Sequence, residues 1–320
     1  MATQLAHQGQ EVDKYFVFGG DLFDKGPGDI RLGEAMLKLK ARYPDRVVLI
    51  IGNRDCNKVK FTADLDASDI EGRSIEDVPG NYSQAWYIIL VILCILGPYW
   101  DDESVRVTPK MYLKSVLDKE LSEEDKKKYQ TESGDDYSKE IYDKYNTRVH
   151  RLKYYLKHTM GCVKTFEFRR RELAELKGMC LSTFMNRLNI THLTSGVQIT
   201  DISEEEVLNN FVDSVEKEDG FVRRYLDAAE LGAVIGNTLF VHGAIDELSM
   251  GFIPSPKNRD RVQEVIEGEE WKDTHSLQEW LAALNKWGRE SFQEWKDNMK
   301  WNHDRSWRGG EAVIGNRLLI

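Results

Sequence analysis

Three residues with the chemistry of metal ligands stand directly behind short apolar runs in this sequence. Asp21 follows "YFVFGG", Asn53 follows "VVLIIG" and His242 follows "TLFV". A carboxylate, an amide oxygen and an imidazole form a mixed nitrogen and oxygen donor set of the kind that suits manganese, iron or zinc. In open α/β sheets, ligands gather just beyond the carboxyl ends of strands, so three strands ending in these residues would bring them to one edge. Each element alone is ordinary, because Gly-Asp and Gly-Asn turns are frequent and a His-Gly step is common in loops. Their order, each behind a strand-like run, singles them out. Charged companions stand beside them: Asp24 and Lys25 in "GDLFDKG", and Arg54 and Asp55 in "GNRD".

The elements that must position these groups are legible in outline. "YFVF" (Tyr15–Phe18), "VVLII" (Val47–Ile51) and "TLFV" (Thr238–Val241) read as strands. Between the first two, Ile30, Leu32, Ala35, Met36 and Leu39 recur at helical spacing before Pro44, which predicts a crossover helix and one βαβ unit. From Asp101 to Gly232 the sequence turns mainly helical and reads as a large insertion. In it, the charge run Asp118–Lys128 is a solvated face, Gly178 stands where a helix C-cap would, and Ser203 with Glu206 has capping-box spacing. Near the carboxyl end, Trp280, Leu284 and Trp287 fall on one helical face and read as core. The closing "AVIGNRLLI" reads as an apolar strand, as of a domain interrupted at its end.

Composition narrows the function classes. The chain has 320 residues, 41% of them hydrophobic, enough for a real core. Its formal net charge of -10 argues against a broad nucleic-acid-binding surface. Cys56, Cys94, Cys162 and Cys180 make no C-x-x-C pair, which points away from a zinc knuckle or a disulfide framework and toward a reducing, cytoplasmic compartment. The first residues carry neither a secretory apolar segment nor the arginines of a transit peptide. The apolar run Ala85–Gly97 is shorter than the roughly 20 residues a membrane-crossing helix needs. It reads as a buried strand or core helix, or as an insertion foreign to its surroundings, and no membrane partner is expected.

Taken together, the motifs resemble those of the calcineurin-like metallophosphoesterases, the family that includes the Ser/Thr protein phosphatases. The family pattern runs D-x-H, G-D-x-x-D-R/K, G-N-H/R-D/E, H-G-G or H-G-A, and a late G-H. Here "GDLFDKG" matches with Gly20, Asp21, Asp24 and Lys25, "GNRD" with Gly52 to Asp55, and "FVHGAI" with His242 and Gly243. "GGDLFDKGPGDIRL", "RVTPKMYL", "HTMGCVKTFEFRR" and "GNTLFVHGAI" further resemble a protist and fungal branch. The resemblance implies an α/β fold, a sheet sandwich flanked by helices, here with residues 101–232 inserted in a single domain spanning 1–320. It implies two divalent ions, manganese, iron or zinc, and hydrolysis of a phosphate ester or phosphoanhydride. Asp21 would bridge the ions, and Asn53 and His242 would hold the second. Lys25 would bind phosphate as a point charge. Arg54 would pair with Asp24 and face the phosphate, and Arg308 in "WRGGE" would be a further phosphate contact.

The departures matter as much. His7 has Leu5, not aspartate, two places before it, and no G-H follows Trp307. The chain is therefore expected to be incomplete at both ends, with fewer than two ions held. Arg54 stands where many relatives have the histidine that protonates the leaving group, and an arginine does not release its proton; it can only stabilise charge. The expected substrates are a phosphorylated small molecule, a nucleotide or a phosphoprotein. The alternative is an impaired member that binds a phosphate or a partner.

Overall fold

Residues Phe16–Phe18 form β1, Asp29–Arg42 form α1 and Val47–Leu49 form β2. β1 and β2 pair in parallel, with Phe16 opposite Val47 and Phe18 opposite Leu49, so this is the βαβ unit its hydrophobic spacing predicts. In this computed structural model the described residues are 14–24, 26–78, 107–187, 198–247, 249–255 and 267–315. Lys25, His7 and the apolar run Ala85–Gly97 lie outside them.

α1 packs the half-buried Ile30, Met36, Leu37 and Leu39 against the apolar core beneath the strands. Gly28 gives it no side-chain cap. The buried carboxylate of Glu172 does that work from a distant helix, accepting the Ile30 and Arg31 amide hydrogens at 3.0 Å each. At the other end Lys40 donates to the carbonyls of Pro44 and Val47.

Short helices follow: α2 (Asn53–Asn57), α3 (Phe61–Asp64) and α4 (Ala67–Gly72). Next come α5 (Pro109–Glu120), α6 (Glu123–Tyr129), α7 (Lys139–Tyr145) and α8 (Arg148–Tyr154). α9 (Thr165–Arg187), α10 (Glu204–Glu216) and α11 (Phe221–Ala228) complete the helical stretch. α10 opens with the expected capping box, Ser203 Oγ accepting the Glu206 amide hydrogen while Glu206 accepts that of Ser203. α9 does not stop at Gly178 but continues to Arg187. One glycine costs a helix only about 1 kcal/mol, and Phe166 and Ala174 anchor α9 in a buried helical core. That core joins Leu117, Leu152, Val207 and Phe211 into one cluster.

The chain then returns to the βαβ unit. Glu230 lies along β2, its amide donating to Leu49 and its carbonyl accepting from Ile51, both at 2.9 Å. It leads into β3 (Gly232–Ile235), which forms an antiparallel hairpin with β4 (Thr238–Val241). β5 (Phe252–Pro254) and β6 (Gly268–Glu270) form another antiparallel pair. Among the described residues the sheets are therefore three two-stranded pairings.

α12 (Leu277–Asp297) closes the α/β core with Trp280, Leu284, Trp287 and Trp295, all buried. Two of the indole nitrogens are used: Trp280 donates to the Phe252 carbonyl and Trp295 to the Thr62 hydroxyl. α13 (Glu311–Gly315) is helical, which corrects the strand reading of "AVIG". Ala312 and Val313 are both buried in the α/β core, a placement a short helix achieves as readily as a strand. No helix among the described residues is long and apolar enough to cross a membrane.

One half-buried histidine in the helical region has a measurable consequence. His158, in the π-helical turn Tyr155–Thr159 after α8, packs against Tyr112 and Tyr154 with ring centroids 5.6 Å apart in each case. Burial, then the neighbouring Lys157 charge, pushes its pKa down to about 4. An unfolded histidine titrates near 6.5, so between about 6.5 and about 4 the unfolded chain binds more protons than the folded one. The stability this neutral ring contributes is fully present above that window and is lost as pH falls through it. His158→Gln should therefore lose less stability than the parent chain between about pH 7 and about pH 4.5 in urea unfolding. An equal loss in both proteins would contradict a folded-state histidine kept neutral.

Candidate functional site

The carboxyl ends of β1, β2 and β4 meet at one place, and glycines make the meeting possible. Gly20 has φ near 90°, and a Cβ there would stand 2.7 Å from His242 Nδ1 and 2.8 Å from the Gly52 nitrogen. At Gly52 a Cβ would lie 2.3 Å from the Asp21 nitrogen and 2.4 Å from Asp21 Oδ1. Neither position has room for a side chain. Asp21 and Asp24 both hold positive φ, 53° and 85°, a conformation few residues other than glycine adopt. Such backbone strain concentrates at functional sites.

Asp55 fixes the turn. Its carboxylate accepts the amide hydrogens of Asp21 at 3.0 Å, Leu22 at 3.2 Å and Gly52 at 2.8 Å, so one side chain ties the end of β1 to the start of α2. Burial pushes its pKa up to about 6, against the opposing pull of the Lys58 ammonium and the Gly52 amide.

His242 arrives from the β3–β4 hairpin. Its Nδ1 lies 2.7 Å from the Gly19 carbonyl oxygen, so Nδ1 carries the hydrogen and donates it. The lone pair of Nε2 then faces Asn53 Oδ1 at 3.2 Å and Asp21 Oδ1 at 3.4 Å. A cation between Nε2 and the two oxygens reconciles this convergence, as does a proton on Nε2 donated to them. A histidine whose other ring nitrogen donates to a backbone carbonyl is oriented as metal-bound histidines are. The donor set of Asp21, Asn53 and His242 therefore fits one divalent cation. Among the described residues no group of three or more His, Cys, Asp or Glu could hold a metal ion; the trio here combines one carboxylate and one imidazole with an asparagine amide.

The arginine pairing differs from expectation. Arg54 Nη1 pairs with Asp21 Oδ2, and its backbone amide donates to Asp21 Oδ1 at 3.0 Å. Nε donates to the Met160 carbonyl at 3.2 Å. Burial lowers the Arg54 pKa, but the Asp21 charge and then Cys162 outweigh it and the net direction is upward, so it remains a fixed cation. Asp24 is taken by Lys58 instead, both side chains fully buried. Lys58 sits one helical turn beyond Arg54 and reaches inward where Arg54 reaches outward. Asp24 thus holds the loop from below rather than facing a substrate.

Arg308 is also placed elsewhere. It is 1% exposed and spends its guanidinium on Asp64 and Glu311, each at 2.7 Å, beneath the Trp301 ring. It braces α13 against α3 and is not an exposed phosphate contact. Sequence reasoning missed the roles of Asp55, Lys58 and the Gly19 carbonyl. Asp55 stood inside "GNRD" and Lys58 four residues past Arg54, but which backbone hydrogens or carboxylates they meet is a property of the fold.

The calcineurin-like phosphoesterase family matches residues 3–159. No curated protein matches the chain significantly, and neither does any solved structure. The matched stretch contains Asp21, Asp24, Asn53 and Arg54 and ends well before His242, which the fold nevertheless brings against Asn53. The likeness of this chain to the calcineurin-like phosphoesterases is thus carried by residues 3–159, just under half of its length.

Proposed function

We propose that this protein is a metal-dependent phosphoesterase whose cation is held by Asp21, Asn53 and His242. The observation that carries the reading is the placement of His242 Nε2 at 3.2 Å from Asn53 Oδ1, across 189 residues of chain and from outside the family-matched segment. A divalent cation bound there supplies Lewis acidity toward a phosphoryl oxygen and makes a bound water more acidic. The chain's own residues do the rest. Asp55 and Gly52 set the carboxylate of Asp21, and the Gly19 carbonyl keeps the Nε2 lone pair of His242 pointed into the site. Arg54, permanently charged and partly exposed, stabilises negative charge on a phosphoryl group without exchanging a proton. Lys25, beside Asp24 in the sequence, adds a point charge toward phosphate.

The substrates are phosphomonoesters or phosphoanhydrides, carried on a small molecule, a nucleotide or a protein. We read residues 101–232 as an insertion in the phosphoesterase domain. A second reading, a phosphate-binding protein without turnover, is favoured by one observation: Asp21 already carries a cation, Arg54, on its second oxygen. The two readings separate in one assay. With manganese supplied, the chain should hydrolyse an aryl phosphate, chelator should stop it, and Asp21→Asn should lower the rate by about a thousandfold or more, as expected when the group that positions the reacting centre is lost. Phosphate binding by the parent chain with no turnover would establish the second reading instead.

A further inference from the structure

Asp21 is contested. One of its oxygens, Oδ1, faces His242 and takes the Arg54 backbone amide, while the other, Oδ2, is engaged by the Arg54 guanidinium. The guanidinium is tethered by a second bond, from Nε to the Met160 carbonyl at 3.2 Å, which does not depend on Asp21. Its side chain keeps 19% of its surface exposed, so it has room to turn outward. The other aspartate of the loop offers it no alternative, because Lys58 fills that position.

We propose that Arg54 is a latch on the cation site: it neutralises Asp21 in the metal-free protein, yields the carboxylate when a divalent cation binds, and then turns its freed donors to a phosphoryl group while Met160 holds its stem. This rests on the functional reading above, and it adds a regulation to that site. Two positive charges cannot share one carboxylate without mutual repulsion, so Arg54 lowers cation affinity in the absence of phosphate. When phosphate accepts the released guanidinium, the penalty is recovered, so cation and phosphate strengthen each other's binding by the same factor.

The test is calorimetric and needs no turnover. Manganese is titrated into the parent chain, Arg54→Met and His242→Ala, each with and without inorganic phosphate, after circular dichroism and thermal melting show a parent-like fold. Methionine keeps the apolar stem and removes the charge. If Arg54 is a latch, Arg54→Met binds manganese more tightly than the parent by about tenfold or more, the scale of one lost charged hydrogen bond. The factor by which phosphate strengthens manganese binding should also be smaller in Arg54→Met than in the parent. Arg54→Lys, which keeps a charge but loses the second donor, should fall between the two; should Arg54→Met unfold, a rise in affinity in Arg54→Lys supports the latch in its place. A residue that merely positions Asp21 gives the opposite sign. Equal or weaker manganese binding in the folded Arg54 variants, with His242→Ala still impaired, would overturn the latch and leave the functional reading standing. Manganese binding indifferent to His242 would overturn the functional reading and the latch together.

Discussion

Replacing Lys58 by methionine should destabilise the fold by about 3–5 kcal/mol, the usual cost of removing one member of a buried ion pair. Lys58 and Asp24 are both fully buried. The ammonium also donates to the Arg54 carbonyl at 3.1 Å and lies 5.3 Å from the Phe23 ring centroid. Without it, the Asp24 carboxylate keeps its burial and loses its counter-charge, and its other oxygen, Oδ1, already has no hydrogen-bond partner among the described residues. Asp24 has no route to the surface, because the Thr165 hydroxyl holds its carbonyl and the Asp29 carboxylate holds its amide. The charged oxygen would be stranded, which is why a large loss is expected.

Adding Asp24→Asn to Lys58→Met should recover most of the loss, since asparagine removes the stranded charge and tolerates positive φ. Urea unfolding of the parent, the single variants and the double variant supplies the cycle. A loss below about 1 kcal/mol in Lys58→Met, the size of an exposed ion pair, would show that the pair is not buried in solution.

This pair also marks the limit of sequence reasoning. The strand runs, the crossover helix, the capping box at Ser203 and the tryptophan face of α12 were legible because each is a local pattern, set by period and by neighbours three or four residues apart. Asp21, Asn53 and His242 were legible as candidates because each ends a strand-like run, and a strand fixes the direction in which its next residues emerge. The partner of Arg54 was not. Two aspartates three residues apart offered equal spacing, and the choice fell to positive φ at both and to a lysine one helical turn away. Arg308 misled for the same reason: a conspicuous arginine beside a pair of glycines says nothing of the carboxylates of Asp64 and Glu311 waiting beside it. Gly178 looked like a stop, but tertiary packing of α9 outweighs a penalty of about 1 kcal/mol.

The second large effect belongs to His242. His242→Ala should weaken divalent-cation binding by more than about a hundredfold, because losing a group that only orients a ligand already costs about 10–100-fold. It is the nitrogen donor of the trio, and its ring is preset by the Gly19 carbonyl at 2.7 Å. Alanine removes the donor and should leave the β3–β4 hairpin in place, since the imidazole is partly exposed and the hairpin is held by its own backbone pairing. His158→Gln, a change in the helical region remote in sequence from all three ligands, is the control and should bind as the parent does. Equal affinity in parent and His242→Ala would mean that the convergence at the sheet edge is a turn and not a ligand set.

The most direct measurement is diffraction from crystals of the chain grown with manganese, with data collected at the manganese absorption edge. An anomalous peak is expected there, bounded by the Asp21 carboxylate, Asn53 Oδ1 and His242 Nε2. A map with no peak there, at a manganese concentration that supports hydrolysis in solution, would contradict it.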